Sequence, residues 1–344
     1  MKYANYITIL FLTLVLISLT SCEKQEKLYP APVVPKGIQT ATFAMGENYE
    51  NQLWFEFSTQ QSWSNPFGLW DIGFSCSENN EIIINSGRHG SYGAIHFDNT
   101  DFSDIRTIDQ TREKWLYDNP NGAPDSLAFS SWCYVNGQGK VTGKDRLYIL
   151  NRGADSLGTK KFIKLKIIGR EGGVYHFQWS LLEDSIPTND IFLRINPDYN
   201  YVYYNFTLEK EVYNEPVNSK SWDLLFTTYK EEVKDDATQK YYPYILRGVL
   251  TNPSKVRVCE INNKIAFENI DLNYAKSRVY SPFRNEIGYD WKLWNLSANK
   301  YTVDQNKIYL IQDTKGNYFK LKFVDFYDDQ GRKGYPKLAW ELLK

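Results

Sequence analysis

Runs in which apolar and polar side chains alternate dominate this chain. In Tyr318-Phe319-Lys320-Leu321-Lys322-Phe323, the residues Phe319, Leu321 and Phe323 fall on one face and Lys320 and Lys322 on the other, as in a half-buried antiparallel strand. Residues 162–167 do the same, with Ile163, Leu165 and Ile167 set against Lys164 and Lys166. Between such runs lie Asp313-Thr314-Lys315-Gly316-Asn317 and Asp328-Asp329-Gln330-Gly331, where glycine can supply the positive φ of a hairpin turn. Sustained helical periodicity is hard to find, so the pattern predicts a mostly β, antiparallel fold. The 26 Tyr, 19 Phe and 10 Trp suit pleated, half-buried surfaces and strengthen that expectation.

The pattern also occurs twice. Leu53-Trp54-Phe55-Glu56-Phe57 and Trp70-Asp71-Ile72-Gly73-Phe74 return as Val202-Tyr203-Tyr204-Asn205-Phe206 and Trp222-Asp223-Leu224-Leu225-Phe226. Leu147-Tyr148-Ile149-Leu150, residues 162–166 and Trp179-Ser180-Leu181-Leu182 return as Ile308-Tyr309-Leu310-Ile311, residues 318–322 and Trp340-Glu341-Leu342-Leu343. Matching blocks in one order predict two tandem β-rich domains, residues 39–185 and 186–344, divided in the polar, proline-bearing stretch 184–190. Each copy contains a long irregular segment, residues 97–144 and 260–296, of the kind that carries function or hides short elements. The repeated Trp-Asp pair reads as scaffold: a Trp ring toward the core and an outward Asp bonded to a neighbouring amide.

The ends change the picture more than the charge does. Lys2, an apolar run from Ile7 to Leu19 and then Thr20-Ser21-Cys22 form a signal peptide over residues 1–21, too short to span a bilayer. Leu19-Thr20-Ser21-Cys22 resembles the lipobox of bacterial lipoproteins, which implies lipidation of Cys22 and an exported, lipid-anchored chain. Residues 22–38, with Pro30, Pro32 and Pro35, form an unfolded tether. Formal charge is −1 and becomes −2 once Lys2 leaves with the signal, so neither nucleic acid nor an anionic bilayer is indicated as a partner. Cys76, Cys133 and Cys259 match no zinc or redox spacing and are expected to be small buried residues, a Cys76–Cys133 bridge being unforced.

The first copy runs on from its Trp-Asp strand into Ile82-Ile83-Ile84-Asn85-Ser86-Gly87 and Gly90-Ser91-Tyr92-Gly93-Ala94, and the second copy carries Ile287-Gly288-Tyr289-Asp290-Trp291-Lys292 and Gly334-Tyr335-Pro336-Lys337-Leu338. These blocks resemble the HmuY family, secreted lipoproteins of Gram-negative bacteria. The resemblance implies a β fold that holds haem in a cleft, commonly between two axial side chains, and delivers it to an outer-membrane transporter. A neutral imidazole suits iron because its ring nitrogen offers a lone pair and its other N–H can be oriented by a neighbour. His89 and His96 flank the glycine-rich turn and are the candidate haem ligands, with Arg88 placed to meet a propionate. His176 alternates with Tyr175, Phe177 and Trp179 and falls on the polar face. The second copy has no His and no Met, and Met45, before the first Trp-Asp strand, reads as core or linker.

Other chemistry finds little support. No Gly-x-Ser-x-Gly elbow, His-Glu-x-x-His helix or phosphate-cradling loop is present, so no enzyme is expected. Asp235-Asp236 and the Asp325–Gly331 stretch read as turns rather than as a calcium site. The sequence thus predicts a haem-binding lipoprotein. The alternative is a surface lipoprotein that has lost haem binding and captures a glycan or a protein.

Overall fold

The computed structural model describes residues 37–88, 93–153, 161–217, 221–262 and 265–344. The expected signal peptide, Cys22 and nearly all of the tether lie outside these residues. The first half contributes β1 (Gln39–Thr42), β2 (Asn51–Phe55), β3 (Ser62–Pro66), β4 (Ile72–Ser75), β5 (Ile82–Ile84), β6 (Gly93–Asp98), β7 (Cys133–Val135), β8 (Val141–Gly143), β9 (Arg146–Asn151), β10 (Phe162–Glu171) and β11 (Val174–Leu181). The second contributes β12 (Ile191–Arg194), β13 (Tyr201–Asn205), β14 (Lys210–Val212), β15 (Leu224–Lys234), β16 (Tyr241–Thr251), β17 (Arg257–Asn262), the short helix α1 (Leu272–Lys276), β18 (Lys292–Asn295), β19 (Lys300–Val303), β20 (Lys307–Gln312), β21 (Tyr318–Tyr327) and β22 (Lys333–Leu342). Every strand pairing is antiparallel. Hairpin turns fall where glycine permits them, with Gly316 at φ 86° between β20 and β21 and Gly331 at φ 75° between β21 and β22.

Adding eleven to a first-half strand's number gives its counterpart in the second half, and the ladders obey the same rule. β6–β9–β10–β11 pair as β17–β20–β21–β22 do. Among the described residues four pairings cross between halves. β2 pairs with β15 through Leu53↔Phe226, β13 pairs with β4 through Val202↔Phe74, and β1 lies along β22 as β12 lies along β11. Each core is therefore completed by the other half's strands. Val202, Tyr204 and Phe206 sit in one core with Ile72, Phe74, Ile163 and Phe177. Phe43, Met45, Phe55 and Phe57 sit in the other with Leu224, Phe226, Phe319 and Trp340. A division at residue 185 does not separate the two cores.

The alternation of β10 and β21 is real but its polar face is not solvated. Phe319, Leu321 and Phe323 are buried as expected, yet Lys320 is only 4% exposed and Lys164 not at all. Lys164 Nζ donates to the carbonyls of Ile105 (2.9 Å), Phe102 and Asp184, and Lys320 Nζ donates to those of Phe267 (2.9 Å) and Ile270 (3.2 Å). The long irregular segments do this covering. Ile105, Ile108 and Trp115 pack against Ile149 on one outer face, and Phe267, Ile270 and Ala275 pack against Ile308 and Leu310 on the other. Short elements lie within both segments, α1, β18 and β7 among them.

Candidate haem-binding region

A buried polar junction lies before residues 89–92. Asp71 is fully buried, so its carboxylate points inward rather than outward as the sequence suggested. Its Oδ2 accepts the amide of Phe206 at 2.7 Å, at the end of the crossing strand β13, and Arg152 grips both oxygens at 2.9 and 2.7 Å. Arg88 Nη2 lies 3.1 Å from Asp71 Oδ1 and donates to the carbonyls of Gly68 and Trp70. That guanidinium is turned into the protein, away from the solvent-facing position in which it would meet a propionate. Asn85 donates to the carbonyls of Phe67 and Trp70 at 2.9 and 3.1 Å. Gly87 presses on β15 so closely that a Cβ there would stand 2.2 Å from the Thr228 carbonyl oxygen.

The other half repeats the frame with different charges. Asp223, also fully buried, accepts the Phe57 amide at 2.8 Å at the end of β2, and Asn252 donates to the Trp222 carbonyl at 2.7 Å as Asn85 does to that of Trp70. The run Thr251-Asn252-Pro253 thus places Asn252 where the first half has Asn85. Among the described residues no arginine pairs with Asp223; it accepts from the Thr314 amide at 3.1 Å, with Asp313 and Glu56 nearby. Burial pushes the Asp223 carboxyl up to about 7, the Phe57 and Thr314 amides pulling it down and Asp313 and Glu56 adding to the rise.

The three histidines stand in different settings. His89 lies outside the described residues. His96, on β6, packs its ring 5.6 Å from that of Tyr148, and its buried Nδ1 has no hydrogen-bond partner, the Asp98 carboxylate being 3.5 Å away. Burial and the Arg146 cation hold its pKa below the ordinary imidazole value, against the pull of Asp98, so the ring is neutral at neutral pH. Arg88 and His96 do not share a pocket of charges: one is bound to Asp71, the other sits beside Tyr148.

His176 occupies a trough that alternation alone did not reveal. Across the strands, Phe192, His176, Gly169, Thr142 and Tyr134 are successive partners on one outer face. The trough has a volume of about 650 Å³, with Ile168, Val141 and Val174 among its walls. His176 stacks on Phe192 at 4.5 Å and 18°, and its Nε2 lies 2.9 Å from Asp190 Oδ1. Two sequence signals pointed here: Gly169 interrupts an apolar strand, and Phe192 alternates out of phase with Ile191 and Leu193.

Between the two four-stranded sheets lies a smaller cavity of about 100 Å³ lined by Trp54, Trp70 and Trp222. It is well below the size of a pocket for a drug-sized ligand, about 300 Å³ or more. Trp70 Nε1 and Tyr229 Oη, both on its lining residues, are buried without hydrogen-bond partners among the described residues. Cys76, Cys133 and Cys259 are free, half-buried thiols, and burial raises Cys76 to about 11. Among the described residues no three His, Cys, Asp or Glu side chains are grouped to hold a metal ion, and no helix is long and apolar enough to cross a membrane.

The family model for the HmuY protein matches residues 257–340. No curated protein matches the chain. Similar solved structures include apo PinO from Porphyromonas gingivitis, 10% identical, covering 90% of this chain and 99% of that one with a TM-score of 0.29. The apo HmuY analogue of Tannerella forsythia is 10% identical, covering 91% and 98% with a TM-score of 0.25. An HmuY-like haem-binding protein from Bacteroides vulgatus is 17% identical, covering 41% and 83% with a TM-score of 0.23. The chain is mostly β, and over residues 257–340 it is HmuY-like.

Proposed function

We propose that the mature chain is an exported protein, anchored through lipid on Cys22, that binds haem and passes it to an outer-membrane transporter without enzymatic chemistry of its own. The observation that carries this reading is the HmuY match over residues 257–340. One of the candidate residues suits the task. A ferric haem needs a neutral imidazole, and His96 is held neutral by burial and by Arg146. His89 and His96, on either side of the glycine-rich turn, form the proposed ligand pair. Arg88 would have to leave a buried ion pair with Asp71 to meet a propionate.

Titration of the mature protein with haemin, followed in the Soret region, tests the reading. A shifted, saturable band is expected, and its absence in the wild-type protein removes haem binding. The double variant His89→Ala/His96→Ala is expected to lose the part of the ligated spectrum that this pair supplies; an unchanged spectrum removes that pair.

A second reading, capture of a glycan or protein at the cell surface, is favoured by the second copy, which has no His and no Met to offer iron. It predicts a sugar-dependent rise in melting temperature in a protein whose spectrum haemin leaves unaltered.

A further inference from the structure

We infer that the trough on the outer face of β7, β8, β10, β11 and β12 is a haem-sized site in its own right, with His176 supplying the axial nitrogen and Lys140 and Arg194 facing the propionates. The inference rests on the haem-binding reading but not on the glycine-rich turn. Its volume of about 650 Å³ lies within the usual range for ligand pockets of roughly 300–1,000 Å³, which the central cavity does not reach.

The floor is bare backbone. Gly169 stands between Thr142 and His176, and a Cβ there would come within 2.6 Å of the Val141 carbonyl oxygen, so close strand packing holds the position to glycine. A bulge between Ile167 and Gly169 turns Ile168 outward, 39% exposed, opposite Phe192, 65% exposed. Apolar rings and branches left in water on both sides of a flat floor suit a planar, apolar body. Strands stand about 4.8 Å apart, so Tyr134 and Phe192, four strand spacings from each other, bracket about 19 Å of this face.

Chemistry at the rim matches the remaining parts of the ligand. His176 Nε2 lies 2.9 Å from Asp190 Oδ1, so a neutral ring that donates Nε2–H there presents Nδ1 with its lone pair, the orientation by a carboxylate that metal-binding imidazoles commonly have. Lys140 and Arg194 line the trough, and their side chains have no ion-pair partner among the described residues. Arg170 is spent on Ser77 and Asn80, and Glu171 is the one carboxylate in the lining. The balance favours a ligand that carries carboxylates.

The test compares haemin with its dimethyl ester on the full mature chain. In the His89→Ala/His96→Ala background, His176→Ala and His176→Gln are expected to weaken the remaining haemin binding at least tenfold and to change the Soret position, while circular dichroism and melting stay at the values of that background. Lys140→Ala/Arg194→Ala is expected to weaken haemin several-fold and to leave the ester unaffected. Wild-type binding together with unchanged titrations of both His176 variants overturns the trough and leaves haem binding standing. Absence of any Soret shift in the wild type overturns both.

Discussion

The two Trp-Asp pairs show how one residue type does the same mechanical job with opposite electrostatics. Asp71 and Asp223 each hold the amide that ends a strand arriving from the other half. Asp71 does so with Arg152 and Arg88 against it, so Asp71→Asn removes the carboxylate that both buried guanidiniums face and is expected to cost about 3–5 kcal/mol. Asp223→Asn strands no cation and loses an acceptor, an expected cost of about 1 kcal/mol at neutral pH. Denaturant titration of both variants checks the contrast. A pH dependence follows. The folded Asp223 value of about 7 lies above that of an unfolded aspartate, ~4, so the folded state binds the extra proton. The stability it lends is complete below about pH 4 and is lost as pH rises through about 7. The advantage of wild type over Asp223→Asn should therefore shrink from pH 4 to 7; a constant difference would contradict the assignment. The scaffold role was legible because the pair recurs; its inward direction was not, because alternation gives a residue's side of its own strand and not what covers that side.

At the scale of elements, period-two alternation found the strands correctly and misjudged one face of them. Lys164 and Lys320 look solvated in sequence because nothing in β10 or β21 announces that residues 97–116 and 265–275 will lie across them. Burial becomes possible because each ammonium meets backbone carbonyls that an irregular segment would otherwise bury unpaired. Lys164→Met and Lys320→Met keep the stem's packing and remove those donors, with an expected loss of about 2 kcal/mol each. Amide exchange should rise at residues 102–105 in the first variant and 267–270 in the second, and unchanged protection there would count against the lysines as fasteners. The same blindness to what lies beside a strand hid the trough. His176 is on the polar face as its period says, but the trough depends on its cross-strand partners Phe192 and Gly169, and register between distant segments is not written in periodicity.

For the molecule as a whole, repetition of sequence did not mean repetition of self-contained domains. The duplicated blocks predict two like units, and the strands do form two like cores, but β2 is built into the second and β13 into the first. Which strand of a duplicated set pairs with which copy leaves no trace in alternation, because Leu53 and Val202 present the same pattern to either partner. The crossing has a physical cost for either half alone. Residues 39–185 would keep β4 without β13 and expose Ile72 and Phe74, while residues 186–344 would keep β15 without β2 and expose Leu224 and Phe226, all four fully buried in the intact chain. Losing Val202, Tyr204 and Phe206 from one core, or Phe43, Phe55 and Phe57 from the other, removes roughly 1.5–3 kcal/mol for most of these side chains, a sum that approaches the whole stability of a small domain. Expressed separately, the two halves should give no cooperative melt; mixed or co-expressed, they should assemble one-to-one and recover it. A sharp transition from either half alone would mean that the crossing strands ornament two autonomous domains. Reconstitution only in the mixture would mean that duplication here produced one folding unit, in which any site at the glycine-rich turn is held in place by residues of the other copy.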